Sequence, residues 1–150
     1  MPITNRTTNL HQPYKPHKNR EEKLNDLYLL AETLLKSNVS IRLKKKFFRH
    51  VIWEITAVDG TYKTRYRSAA VLGENEVPIN HEHVWPVKSI TSEILSNPDQ
   101  MRRILEEKAV ACIVSREEHN CLRDDIEGWE RYSKANLRVK DMLTGNWMIG

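Results

Sequence analysis

Apolar residues return every three or four positions at Leu24, Leu27, Tyr28, Ala31, Leu34 and Leu35, with Glu21 and Glu22 just ahead of them. That spacing lines one face of a helix, and acids in a first turn suit the helix dipole. An amphipathic helix is therefore predicted from residue 21 to about residue 38. Phe48, Val51, Ile52 and Ile55 repeat the pattern and predict a second helix through about Ala57. The stretch 51–58 is also rich in β-branched residues and runs into Asp59-Gly60, a hairpin signal, so a strand competes for it.

After Gly60 the period changes. Residues 61–68 alternate aromatic or hydroxyl side chains with Lys63, Arg65 and Arg67, which predicts a strand presenting those three bases on one face. A loop over residues 73–78 leads to an extended segment through His81-Glu82-His83-Val84-Trp85, stopped by Pro86. Two short helices should follow, over residues 89–95 and from Asn97-Pro98, where proline suits a first helical position. Residues 109–114 form an apolar run, hence a buried strand. Ser115-x-x-Glu118 then makes a capping box that starts a helix carrying His119 and Leu122. A short helix is expected after Gly128, with Trp129 in the core, and a small strand over residues 137–139. Beyond Asp141 a tail is expected, docked by Trp147. Residues 1–20 show no apolar period and hold Pro2, Pro13 and Pro16, so they read as a disordered tail. The whole predicts one α+β domain, mostly helical, over residues 21–145.

Charge sharpens this only at the N-terminus. The net charge of +4 is carried by Arg6, Lys15, Lys18 and Arg20, because residues 1–20 contain no acid and the remainder balances. Such a tail can follow a phosphate backbone or remain solvated. Mean hydropathy of −0.63, with no long apolar run, predicts a soluble, cytoplasmic protein without membrane contact. Two cysteines, Cys112 and Cys121, are too few for a disulfide framework. Arg42, Lys44, Lys45, Lys46 and Arg49 crowd the start of the second helix. They form a solvated face, or a phosphate-contacting one if they lie beside a catalytic centre.

The candidate chemistry lies between His81 and Cys121. Hydrolysis of a phosphodiester with one divalent ion needs a few oxygen or nitrogen ligands, a neutral imidazole to take a proton from water, and cations for the polyanion. An acid followed directly by histidine at a strand end, with a second histidine early in a packed helix, has the residue types and order for this. Glu82, His83 and His119 stand in that order. On a regular strand, however, Glu82 points away from His83, and His81 and His83 share a face.

Glu82-His83-Val84-Trp85-Pro86 and His119-Asn120 resemble the strand-end and helix motifs of the HNH endonucleases, the ββα-metal nucleases. The resemblance covers about a quarter of the chain. It implies a ββα-metal unit, with Glu82 and His119 as ligands of Mg2+ or a transition ion such as Mn2+, Ni2+ or Zn2+, and His83 as general base. His81 is a reserve ligand. It further implies a nucleic-acid substrate, DNA favoured, with phosphate contacts from Lys63, Arg65, Arg67 and the 42–49 cluster, and room for a protein partner or a homodimer. The middle asparagine of the family falls near Val110 and is absent, and the spacing between the two motifs is longer than usual. A catalytically inactive module on the same fold, binding nucleic acid or protein, is the alternative function. A zinc site from Cys112, His119, Cys121 and His83 ranks below both, because its spacing fits no common pattern.

Overall fold

Helices form where the 3.6-residue period runs. The structure, a computed structural model, describes residues 10–149. Helix α1 (Arg20–Lys36) buries Tyr28 and Ala31, and α2 (Ile41–Thr56) buries Phe48, Val51, Ile52 and Ile55. Ser40 caps α2, its side chain accepting a hydrogen bond from Leu43 N at 3.2 Å. The competing strand does not form. Helices α3 (Val87–Ser96) and α4 (Met101–Lys108), joined through a short 3-10 turn at Pro98–Gln100, close a helical core around Phe48, Ile52, Ile90, Ile94, Ile104 and Leu105.

The other half is a five-stranded sheet. Its strands are β1 (Tyr66–Ser68), β2 (Ile79–His83), β3 (Ala111–Ser115), β4 (Val139–Asp141) and β5 (Asn146–Ile149), in the spatial order β2-β3-β1-β4-β5. Only β1 and β3 are parallel; the other pairs are antiparallel. The chain is thus a small α+β domain, as its mixed periodicity predicts. No described helix is long and apolar enough to cross a membrane.

Three expectations change. The strand predicted over residues 61–68 is confined to Tyr66–Ser68, and Tyr62 adopts a left-handed backbone with φ of 57°. The expected tail after Asp141 instead contributes β5, with the Arg138 guanidinium 4.2 Å from the centre of the Trp147 ring. Of the expected disordered tail, residues 1–9 lie outside the described residues, whereas residues 10–20 are bound to the domain. Leu10 is buried, Tyr14 N donates to Met142 O at 3.2 Å, His17 N donates to Asp59 at 2.9 Å, and Arg20 pairs with Asp59.

Two expected phosphate contacts are spent internally, and the attached segment takes one of them. Arg67 is only 4% exposed, and its Nη1 donates to Leu10 O and Gln12 O at 2.6 and 2.7 Å. A guanidinium buried and bonded in this way is an anchor for the N-terminal segment and has no reach to a polyanion. Arg65 makes a two-pronged pair with Asp141, at 2.8 and 2.7 Å. Hydrogen bonding from Arg65 pulls the Asp141 carboxyl from its ordinary 3.8 down to about 2. The folded state therefore favours the ionised form. This stabilisation is present above pH 3.8 and is lost as pH falls from there through 2. Arg65→Ala should cost on the order of 1 kcal/mol near neutral pH, with half-exposure of the arginine discounting the pair. In urea titrations at a series of pH values, its difference from wild type should shrink over that acidic window.

Candidate functional site

Antiparallel pairing sets Glu82 opposite Cys112, and His81 and His83 opposite Ile113 and Ala111. Strand β2 stays regular, and Val84 N extends its ladder by donating to Val110 O at 3.0 Å. Successive side chains therefore leave opposite faces of the sheet. Glu82 lies on the face of Cys112 and Val114, whereas His81 and His83 lie on the face of Ile113.

On the first face, β3 runs directly into helix α5 (Arg116–Cys121). The capping box forms as the sequence predicts: Glu118 N donates to Ser115 Oγ at 3.0 Å, and Ser115 N donates to the Glu118 carboxylate at 2.9 Å. This fixed helix start carries His119 back over β2, where its Nδ1 meets Glu82 Oε2. Residues 37 apart in sequence are thereby joined. Ser68, fully buried on β1, donates its hydroxyl to Glu118 and ties the helix start to the centre of the sheet.

The other Glu82 oxygen is held by Arg131. Helix α6 (Gly128–Lys134) delivers it, and Arg131 is only 4% exposed. Its Nη1 donates to Glu82 Oε1 at 3.0 Å and to His83 O at 3.2 Å, its Nε to Arg123 O at 2.8 Å, and its Nη2 to Asp124 at 3.2 Å. Gly128 makes the approach feasible. Its φ is 69°, its N–H donates to Val84 O at 3.2 Å, and an added Cβ would lie 2.9 Å from the Trp85 ring. No local pattern in the sequence marks an arginine that folds onto a carboxylate 49 residues away.

On the second face, His81 and His83 stand beneath the end of α2. Both Nε2 atoms meet the Thr56 hydroxyl, at 2.9 and 3.1 Å, and the Trp53 ring lies 4.6 and 5.5 Å from their ring centres. Burial pushes both imidazoles down from 6.5 to about 4, and for His81 the neighbouring His83 adds to the effect. Both are neutral at physiological pH, as a general base must be.

The expected constellation is thus divided. Glu82 and His119 come together; His83, the expected base, and His81, the reserve ligand, point the other way. The cluster Arg42, Lys45, Lys46 and Arg49 is exposed on α2, which packs on the histidine face. Lys44 is half-buried and donates to Leu35 O at 3.1 Å, and Lys63 is exposed on the loop before β1. The zinc alternative does not assemble, since the Cys112 thiol is fully buried opposite Glu82, Cys121 is exposed, and His83 faces away.

Two donors, Glu82 Oε2 and the half-exposed His119 ring, could hold a divalent ion, with Arg131 bracing the second carboxylate oxygen as an outer partner does at metal sites. Carboxylate and imidazole suit Mn2+, Ni2+ or Zn2+ better than the all-oxygen preference of Mg2+. Among the described residues no group of three or more His, Cys, Asp or Glu side chains converges. In comparisons with known proteins, no family model, curated protein or solved structure matches the chain.

Proposed function

We propose that the chain is an HNH-like phosphodiesterase acting on nucleic acid, DNA favoured. The observation that carries this reading is the β2–β3–α5 unit, an antiparallel strand pair followed at once by a capped helix, which sets His119 on Glu82. A divalent ion bound there would polarise the phosphate and stabilise the leaving oxygen. Glu82 and His119 hold the centre, and Arg131 fixes the carboxylate. Strand β2 forms one edge of the sheet, so Glu82 and His83 flank that edge from its two faces. A phosphate lying along the edge is the arrangement in which His83, neutral, takes the proton of the attacking water.

A second reading is favoured by one specific observation. The His83 ring is engaged with Thr56 and Trp53 on the face away from Glu82. A chain that keeps this arrangement throughout is a binding module that does not cut.

Cleavage of plasmid and single-stranded DNA with Mg2+, Mn2+, Ni2+ or EDTA separates the readings. The nuclease predicts metal-dependent cutting that Glu82→Gln and His119→Ala abolish and that His83→Ala lowers by about a hundredfold or more. Cutting that persists in all three variants rejects the assignment. Retained DNA binding without cutting under every ion selects the module.

A further inference from the structure

Three groups meet one hydroxyl at the end of α2. Thr56 Oγ1 lies 2.9 Å from Trp53 O, 2.9 Å from His81 Nε2 and 3.1 Å from His83 Nε2, yet it carries a single proton. If that proton goes to the Trp53 carbonyl, both rings must present Nε2–H. If it goes to one ring, the other still has to supply a proton. His81 Nδ1 is buried without a hydrogen-bond partner, so nothing on that side of the ring sets its tautomer. Two imidazole nitrogens aimed at one point, each with a lone pair in its other tautomer, can also share a cation there.

The spacing permits it. A His-x-His pair on a regular strand places both rings on one face, and here the ring centres are 5.4 Å apart with Nε2 atoms converging. From these contacts we infer that His81 and His83 form a second cation site, specific for a transition ion such as Cu2+, Ni2+ or Zn2+. The ion would take the place now filled by the Thr56 hydroxyl, which turns aside. Two neutral nitrogens without a carboxylate select against Mg2+ and Ca2+, which prefer oxygen ligands. The site lies on the face of β2 opposite Glu82 and His119 and uses neither of them, although it would occupy His83, the base of the proposed hydrolytic centre. By joining α2 to the sheet edge it would clamp the helical half of the domain to the strand half.

Trp53 is a built-in reporter, since its ring touches both histidines and Cu2+ quenches nearby indole emission. Titrating the full chain with CuCl2 should give saturable quenching of tryptophan fluorescence, and Trp53→Phe should remove that component. His81→Gln and His83→Gln should each weaken the binding by about tenfold or more, while Glu82→Gln/His119→Ala leaves it unchanged. Wild type should also melt at higher temperature with NiCl2 than with EDTA, a shift lost in His83→Gln. Circular dichroism of each variant identifies those that fold, and His81→Asn and His83→Asn replace any that do not. Quenching that survives in both histidine variants, or that vanishes in Glu82→Gln/His119→Ala, overturns the site. MgCl2 as effective as NiCl2 in raising the melting temperature overturns it as well.

Discussion

Arg131→Ala is expected to lower the unfolding free energy by about 3–5 kcal/mol, the loss seen when one member of a buried ion pair is removed. Glu82 is 8% exposed and Arg131 4%, so the deletion would strand a carboxylate that water reaches poorly. It would also strip donors from the carbonyls of His83 and Arg123. Most of the loss reflects these unsatisfied partners rather than the worth of the pair itself. The double change Glu82→Leu/Arg131→Met should therefore be markedly less destabilised than Arg131→Ala. Urea unfolding of wild type, Glu82→Leu, Arg131→Met and the double variant measures the coupling as a double-mutant cycle. If the double variant is as unstable as the two singles added together, Glu82 and Arg131 do not interact as described.

The second large effect is acid lability from the two strand histidines. Burial holds His81 and His83 at about 4 instead of 6.5, so the folded chain resists protons that the unfolded chain binds. The stabilisation is fully present above pH 6.5, declines as pH falls from 6.5 towards 4, and has been lost below that. Each ring contributes on the order of 3 kcal/mol at most, and less where the two titrations couple. With EDTA present throughout, the urea midpoint of wild type should drop steeply across this window. His81→Gln/His83→Gln, unable to bind those protons, should show a much flatter profile. Equal slopes for the two chains would mean that other groups govern the acid response.

Part of this molecule is legible in the chain because it rests on local interactions. Helices α1 and α2 follow from apolar residues at helical spacing, which needs only neighbours within a turn or two. The same holds for the capped start of α5, where Ser115 and Glu118 satisfy each other's backbone groups three residues apart. The candidate centre is half legible for the same reason. Residue types and order select Glu82 and His119, and the strand–helix junction after Val114 aims the second at the first.

The other half was decided by contacts distant in sequence. Whether Glu82 and His83 act from one side depends on whether β2 bends at its end. The ladder to β3, continued through Val84, keeps it straight and puts them on opposite faces. Arg67 alternates with Arg65 as an exposed base would, yet the carbonyls of Leu10 and Gln12, more than fifty residues earlier, draw it inside. Residues 10–19 lack any apolar period because they make no helix or strand of their own. They are held by side chains of the finished domain, above all Asp59 and Arg67. Arg131 stands in a short helix with no signature, and only the folded sheet reveals that it completes Glu82. Sequence alone therefore determined the helices, the capped strand–helix junction and the pair of residues that meet there, since each is written within a few neighbouring positions. Tertiary structure decided the faces, the buried cations and the partners, because sheet register and burial are properties of the assembled chain.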